Sequence, residues 1–462
     1  MFLMYNVDFT KPVRVHFIGI GGISMSGLAE ILLKEGFKVS GSDRASSDLT
    51  EKLEGEGAKI FIGQRASNIT DDIELVVYTA AIRQDNPEMA QAIKLDIPLM
   101  TRAELLGRIM KNYKTSIAVS GTHGKTTTTS MITSILLAAD ADPTISVGGM
   151  LPSIGGNIRI GSSDCFVTEA CEYTNSFLSF FPTMSVILNI DEDHLDFFKD
   201  INDIRRSFTK FANLLPPDGL LVISADIDDT DEITKDVKGE VVTVSATKSA
   251  DYTAGPVTYD ERGCASFDVI KGGKKLAAVS LSVPGHHNVG NALAAIAVCD
   301  HLKIDISSIC KGLKGYEGTD RRFQYKGKIG EVTVIDDYAH HPTEIAATLS
   351  AAANYPHKKL WVVFQPHTYS RTKALFDEFA KALSAADEVV LADIYAAREK
   401  DDLGISSKDL SNAIQSYGTS SHYFGSFDEI ENFLLQSCSP GDLLITMGAG
   451  DIVKVADSLL GS

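Results

Sequence analysis

The sequence predicts an α/β protein of three domains in series, each built on a mostly parallel sheet. Three observations carry this expectation. Short apolar runs alternate with amphipathic helical stretches along nearly the whole chain, which is the pattern of βαβ units. Two strand-to-helix turns are rich in glycine, Gly19-Ile20-Gly21-Gly22 and Gly121-Thr122-His123-Gly124. At 462 residues the chain has room for about three domains of roughly 150 residues each.

The first domain is expected over residues 1–112. Its opening strand, Val13 to Ile20, runs into the first glycine turn and then a helix from about Ile23 to Lys34. A second strand around Lys38 to Ser40 ends in Gly41-Ser42-Asp43, and further strands fall at Lys59 to Ile62 and Leu75 to Thr79. Gly19, Gly21 and Gly22 followed by Asp43 have much of a dinucleotide fingerprint, because an acidic residue about 20 positions on can hold ribose hydroxyls. Ser24 stands where the third glycine belongs. On this loop alone, an NAD-dependent dehydrogenase stays open.

The second domain is expected over 113–320. Strand Thr115 to Ser120, the loop Gly121-Thr122-His123-Gly124-Lys125-Thr126-Thr127 and a helix from about Thr126 to Ala139 have the parts of a P-loop. Backbone N–H groups can surround phosphate oxygens, Lys125 can reach the β- and γ-phosphates, and the Thr126 hydroxyl can bind magnesium. Val119 takes the place of the first glycine in the usual GxxxxGK[ST] pattern. Glu169, just after the apolar run Cys165 to Thr168, is placed at a strand end to supply a second metal oxygen; Glu172 is the weaker candidate. The run Ser185 to Ile190 leads into Asp191-Glu192-Asp193-His194-Leu195-Asp196, readable as a solvated acidic turn or, if two divalent ions share the site, as a metal site through His194. Residues 239–283 read as an antiparallel extension.

The third domain, over 321–462, alternates again: strand Val332 to Ile335, helix Pro342 to Ala353, strand Leu360 to Phe364, helix Thr372 to Leu383, strand Glu388 to Ala392 and strand Leu443 to Met447. Asp336-Asp337 ends one strand before His340-His341-Pro342, and Phe364-Gln365-Pro366-His367 ends the next. Strand ends of this kind are where α/β domains place ligand contacts. Arg371 lies close enough to clasp a carboxylate.

Composition narrows the function. A formal net charge of −18 disfavours nonspecific contact with nucleic acid phosphates. No apolar stretch is long enough to suggest membrane insertion, and the start Met1-Phe2-Leu3-Met4-Tyr5 lacks a cationic n-region and cleavage site, so the chain reads as cytoplasmic. The six cysteines are scattered without CxxC spacing, as expected for reduced thiols.

Five motifs, taken in order, resemble those of the Mur ligases: Gly121 to Thr127, Glu169-Ala170-Cys171-Glu172, His287-Asn288-Val289-Gly290-Asn291, Gly318-Thr319-Asp320-Arg321-Arg322-Phe323 and Asp336-Asp337-Tyr338-Ala339-His340-His341-Pro342-Thr343-Glu344. The likeness runs essentially end to end. It departs at Ser24, at Cys171 to Thr174 and at Thr368, where the family often carries Gly, Asp-Glu-Ser-Asp and Arg.

The resemblance implies a Rossmann-like N-terminal domain that binds a UDP-sugar, a central P-loop ATPase domain and a Rossmann-like C-terminal domain that admits an amino acid. Within the family, the motifs are most similar to members that join L-alanine to UDP-N-acetylmuramate using ATP and two magnesium ions, for which manganese can stand in. Residue by residue, it implies that Lys125 holds phosphate, Thr126 and Glu169 bind the first metal and His194 the second. Asn288 and Asn291 would meet the adenine side of ATP or the metal shell, and Arg322 the nucleotide. Gly19, Gly21, Gly22, Ser42, Asp43, Thr79 and Arg102 would contact the UDP-sugar. Tyr338, His340, His341, His367 and Arg371 would line the place where alanine meets the activated acid, with His340 or His341 taking a proton. A recycling ligase that adds a peptide to the same sugar, and a nucleotide-dependent switch, are the other readings weighed.

Overall fold

The computed structural model describes residues 5–79, 82–83, 85–397, 399–401 and 403–461, and it holds three sheets. Met1 to Met4, part of the N-terminal reading above, lie outside the described residues. The first sheet is fully parallel, in the order Lys59–Ile62, Lys38–Asp43, Arg14–Ile18, Leu75–Tyr78, Leu99–Thr101. The first strand sits at its centre, so the turn after Ile18 opens where the strand order reverses. That is the crevice in which open α/β sheets bind ligands.

The second sheet has eleven strands. Thr115–Ser120 lies between Met184–Ile187 and Cys165–Glu169, parallel to both, so the glycine loop, Glu169 and the segment from Asn189 to His194 emerge at one end of the sheet. The antiparallel extension is shorter than the sequence suggested. Glu240–Ser245 and Tyr252–Ala254 continue the parallel order, and antiparallel pairing begins only at Cys264–Lys271 and Lys274–Pro284.

The third sheet pairs Gln324–Ile329 antiparallel with Val332–Asp337; the remaining strands, in the order Leu443–Met447, Leu360–Phe364, Glu388–Leu391, Ser420–Tyr423, run parallel. The helix expected over Thr372 to Leu383 is two helices, Tyr369–Ala374 and Phe376–Leu383, meeting at Leu375 with φ −115°. Thr368, at φ 69°, starts the first of them.

Glycines allow the domains to dock closely. A Cβ on Gly107, in helix Arg102–Met110, would lie 1.9 Å from the Ser179 carbonyl oxygen of the central domain. One on Gly27, in helix Ile23–Lys34, would lie 2.3 Å from Ile158 Cγ1. No helix among the described residues is long and apolar enough to cross a membrane. All six cysteines are free thiols.

Candidate active site

The helix Lys125–Ala138 begins at Gly124, whose φ of 82° is a left-handed conformation and which provides no side-chain cap. The N–H groups of Thr122 and His123 are already taken, by the carbonyl and side-chain oxygens of Asn189 at 3.2 and 2.8 Å. The donors left for an anion are therefore those of the first helical turn, which a helix cannot satisfy internally. Lys125 folds over this turn. Its ammonium donates to the carbonyls of Gly121 (2.5 Å) and Thr122 (3.0 Å) and pairs with Glu172 at 3.1 Å. Burial opposes its charge, yet Glu172 outweighs burial and raises its pKa, so it stays cationic.

Thr126 is buried in the same turn. Gly148 and Gly149 lie beside it: Gly148 N–H donates to Glu169 at 2.5 Å, and a Cβ on Gly149 would stand 3.4 Å from Thr126 Cγ2. A hydroxyl and a carboxylate are hard oxygen donors suited to magnesium. His194, at φ 55°, approaches the same Glu172 that pairs with Lys125, with Nε2 3.9 Å from it. Among the described residues no three His, Cys, Asp or Glu are gathered so as to hold a metal by themselves. The donors fit an ion that arrives with phosphate oxygens, which needs one or two protein ligands.

Charged groups from two domains meet in front of this turn. His123 stands 3.1 Å from Asp191 of its own domain and 3.1 Å from Glu344 of the C-terminal domain. Burial works against an imidazolium there, but the two carboxylates outweigh it and lift the His123 pKa to about 9. Glu344 also faces His340 at 3.2 Å and Arg322 at 4.0 Å. Burial would raise its pKa, and its neighbours His340, His123 and Arg322 bring it well below the usual carboxylate range. Asp337, deeper in the same wall, is pushed up to about 6 by burial.

The His-His pair divides its roles. His341 places Nε2 2.9 Å from the Glu192 carbonyl and accepts from Thr343 N–H at Nδ1, so both ring nitrogens are committed and the residue links the two domains. His340 directs Nδ1 at the Tyr338 carbonyl (3.0 Å) and at Glu344, both acceptors. Its proton therefore sits on Nδ1, and the Nε2 lone pair is the one left for chemistry. Burial, helped by Arg371, depresses its pKa to about 4 and keeps the ring neutral. The expectation that either histidine could take a proton thus narrows to His340.

Arg371 is already engaged by protein groups rather than free as expected. Its Nε and one NH₂ group hold Asp193 of the central domain at 3.0 and 2.9 Å, and the other contacts His367 Nδ1 at 3.1 Å. Burial and Arg371 depress the His367 pKa to about 4, and the ring stacks on Tyr395. A cavity of about 170 Å³ lies alongside, between His194 and the Thr368–Leu375 segment. A larger cavity, about 340 Å³, opens beside Gly124 and Thr127 and is walled by Asn288, Asn291, Arg322 and His287. Asn291 donates to Asn288, and His287 is held neutral by burial, its pKa near 4. Tyr338 lies under the Arg321 and Arg322 guanidinium groups.

In the N-terminal domain the expected loop contacts are rearranged. The N–H groups of Gly19 and Ile20 donate to the Ser42 carbonyl at 2.8 and 3.0 Å, and that of Gly21 to Asp43 Oδ2 at 2.8 Å. Gly22 N–H turns back to Gly19. These four donors are spent within the protein, while the first turn of helix Ile23–Lys34 has no side-chain cap and keeps donors of the kind that meet anions. The Ser42 side chain is fully buried and donates to Glu88, which removes it from the ligand face. Thr79 stays next to the loop, 3.6 Å from a Cβ built on Gly19. Arg102 is no solvated helix residue; it is half-buried near Cys171, where burial lowers its pKa.

Four residues of weight were not singled out from sequence: Glu344, Asp191, Asp193 and Glu88. Glu344 had a signal, four residues after His340 on a helix face. Asp191 and Asp193 were hidden in a turn that also reads as solvated.

Comparison with known proteins agrees with this layout. The chain matches the models of the Mur ligase family catalytic domain over residues 14–114, the Mur ligase middle domain over 119–299 and the Mur ligase glutamate ligase domain over 321–450. It is 59% identical over 458 residues to a UDP-N-acetylmuramate–L-alanine ligase of Lachnospira eligens, covering 99% of this chain and 100% of that one. The crystal structure of UDP-N-acetylmuramate-alanine ligase MurC from Thermotoga maritima superposes with a TM-score of 0.79 at 33% identity, covering 97% of this chain and 98% of the other. A murein peptide ligase from Psychrobacter arcticus gives 0.69 at 25% identity, with the same coverage. With its three domain models in order and such relatives along its full length, the chain belongs to the Mur ligase family.

Proposed function

We propose that this protein is an ATP-dependent ligase that joins L-alanine to the lactyl carboxylate of UDP-N-acetylmuramate, a step of peptidoglycan precursor synthesis. The observation that carries the reading is one interface: the P-loop turn with Lys125 on one side, and His340, Arg322 and Arg371 of the C-terminal domain on the other. A phosphate site and an amino-acid site facing each other are what activation followed by amide formation requires. The likeness to alanine ligases along the whole chain supports the substrates.

A carboxylate does not condense with an amine in water, because hydroxide is a poor leaving group. In the first step a lactyl oxygen attacks the γ-phosphorus and the bond to the ADP oxygen breaks, leaving an acyl phosphate. Lys125 and the N–H groups of its turn stabilise the charge that builds on the transferring group. Thr126 and Glu169 would hold magnesium, with His194 beside a second ion; bound there, magnesium neutralises phosphate charge. In the second step the neutral amine of alanine attacks the acyl carbon and phosphate leaves. His340 Nε2 takes the proton the amine sheds, and the negative charge of bound phosphate raises its basicity from the low value it has alone. The Asp193-bound Arg371 turns one face to the small cavity where the alanine carboxylate would lie.

The 340 Å³ cavity beside Asn288 and Asn291 suits the adenosine part of ATP. The 170 Å³ cavity has room for a small amino acid. Phosphate release is the test, measured with ATP, magnesium and UDP-N-acetylmuramate while L-alanine, glycine, L-serine or a tripeptide is varied. Strong dependence on L-alanine is expected. Preference for the tripeptide would select the recycling ligase, and no release with any amine would remove the ligase reading.

A further inference from the structure

Beneath the first glycine loop lies a buried polar cluster with no part in the chemistry above. Glu88, in the first turn of helix Pro87–Lys94, is fully buried, as are His16 and Ser42. Glu88 Oε2 accepts the Ser42 hydroxyl at 2.6 Å, and Oε1 accepts Asn68 Nδ2 at 2.6 Å. His16 Nε2 stands 3.7 Å from Glu88, while its Nδ1 meets the Ser40 hydroxyl at 3.0 Å. Asn68 bonds onward to the Gly63 carbonyl. One carboxylate thereby ties together the strands Arg14–Ile18 and Lys38–Asp43, the turn after Lys59–Ile62 and a helix start.

A buried carboxylate is costly in desolvation unless it is well partnered, and an apolar side chain of similar size would fill the space at less cost. What it secures is the end of strand Lys38–Asp43. Ser42 hangs from Glu88 by its hydroxyl, and its carbonyl receives Gly19 and Ile20 N–H. The next residue, Asp43, receives Gly21 N–H through its side chain and Gly63 N–H through its carbonyl. The packing is tight: a Cβ on Gly21 would lie 2.9 Å from Asp43 Oδ2, and one on Gly41 2.6 Å from Ile20 Cδ1. A small displacement of Ser42 must therefore be passed to the loop and to the helical turn that follows it.

We propose that Glu88 is a positioning residue for the UDP-sugar, acting through Ser42 to hold the Gly19–Gly22 loop so that the first turn of helix Ile23–Lys34 faces the diphosphate. This rests on reading the N-terminal domain as the UDP-sugar domain. Glu88 touches no substrate. Its removal should weaken one substrate and spare the other two.

The test uses the full-length protein and steady-state kinetics in each of the three substrates, beside binding of UDP-N-acetylmuramate by calorimetry. For Glu88→Gln, which keeps shape and loses charge, the KM and Kd for the UDP-sugar should rise at least tenfold, with kcat and the KM values for ATP and L-alanine within twofold. Equal weakening of all three substrates, or an unchanged UDP-sugar KM in a folded variant, would overturn the proposal. Should Glu88→Gln fail to fold, Ser42→Ala, which cuts the same link with less damage, should raise the UDP-sugar KM about threefold; no rise there overturns the proposal too. Failure of wild-type protein to bind the UDP-sugar would instead remove the functional reading on which the proposal stands.

Discussion

Replacing Glu344 by Gln is expected to uncouple His123 from the C-terminal domain. In the wild type the pKa of His123 rises from 6.5 to about 9 against the opposing effect of burial. That rise is roughly two orders of magnitude in proton affinity, on the order of 3 kcal/mol. Two carboxylates share it. Asp191 has a side chain 38% exposed and Glu344 one only 12% exposed, so solvent screens Asp191 the more. Because the folded pKa lies above the unfolded one, the stabilisation is complete below pH 6.5 and is lost as pH rises through about 9. In Glu344→Gln the His123 pKa should fall clearly below 9, and the loss of stability between pH 6.5 and 9 should shrink. NMR titration of the His123 ring protons reads the first quantity, and melting temperature against pH the second. A His123 pKa still near 9 in the variant would refute the pairing.

The other predictions concern single contacts. Lys125→Ala should lower kcat by about 100-fold or more, as loss of one transition-state donor does, and Lys125→Arg should not restore it; phosphate release above a tenth of wild type would contradict the role given to the ammonium. Arg371→Ala should destabilise the protein by roughly 3 kcal/mol by leaving Asp193 buried without its cation. Adding Asp193→Asn should recover the melting temperature but leave the L-alanine KM high; recovery of both would mean that the arginine only neutralises Asp193. Gly107→Ala should cost about 2 kcal/mol or more, since its Cβ would meet backbone rather than a flexible side chain; a melting temperature within a degree of wild type would show that the two domains part there without strain.

Much of the candidate site was legible in the sequence. The order of strand, glycine loop, lysine and threonine is local, and it marks a candidate phosphate site because backbone and side chain within a few residues supply all the parts. Glu169 followed from the rule that ligands gather at strand ends, and the sheet does place it next to the strand that feeds the loop. The helix break at Leu375 was not legible, since the periodicity of apolar residues runs on across it while Thr368 and the Asp193–Arg371 pair dictate the path. The parallel pairing of Glu240–Ser245 and Tyr252–Ala254 was equally hidden, because the side-chain alternation of a strand is the same in either direction.

Pairing between distant groups was decided by the tertiary structure alone. Arg371 and Asp193 are 178 residues apart, and His341 and the Glu192 carbonyl 149. Nothing near either residue in the chain announces the other, and the geometry that joins them exists only once two domains have docked. The same holds for Ser42, which reads as a ligand contact in sequence and is drawn inward by a carboxylate 46 positions away. The sequence by itself determined the three α/β units, the phosphate-binding turn and the family, since each rests on local periodicity or on an ordered set of short motifs. Which histidine keeps a free nitrogen, which arginine is already paired and which N–H groups remain for an anion depend on burial and on contacts across domains, and these only the folded chain supplies.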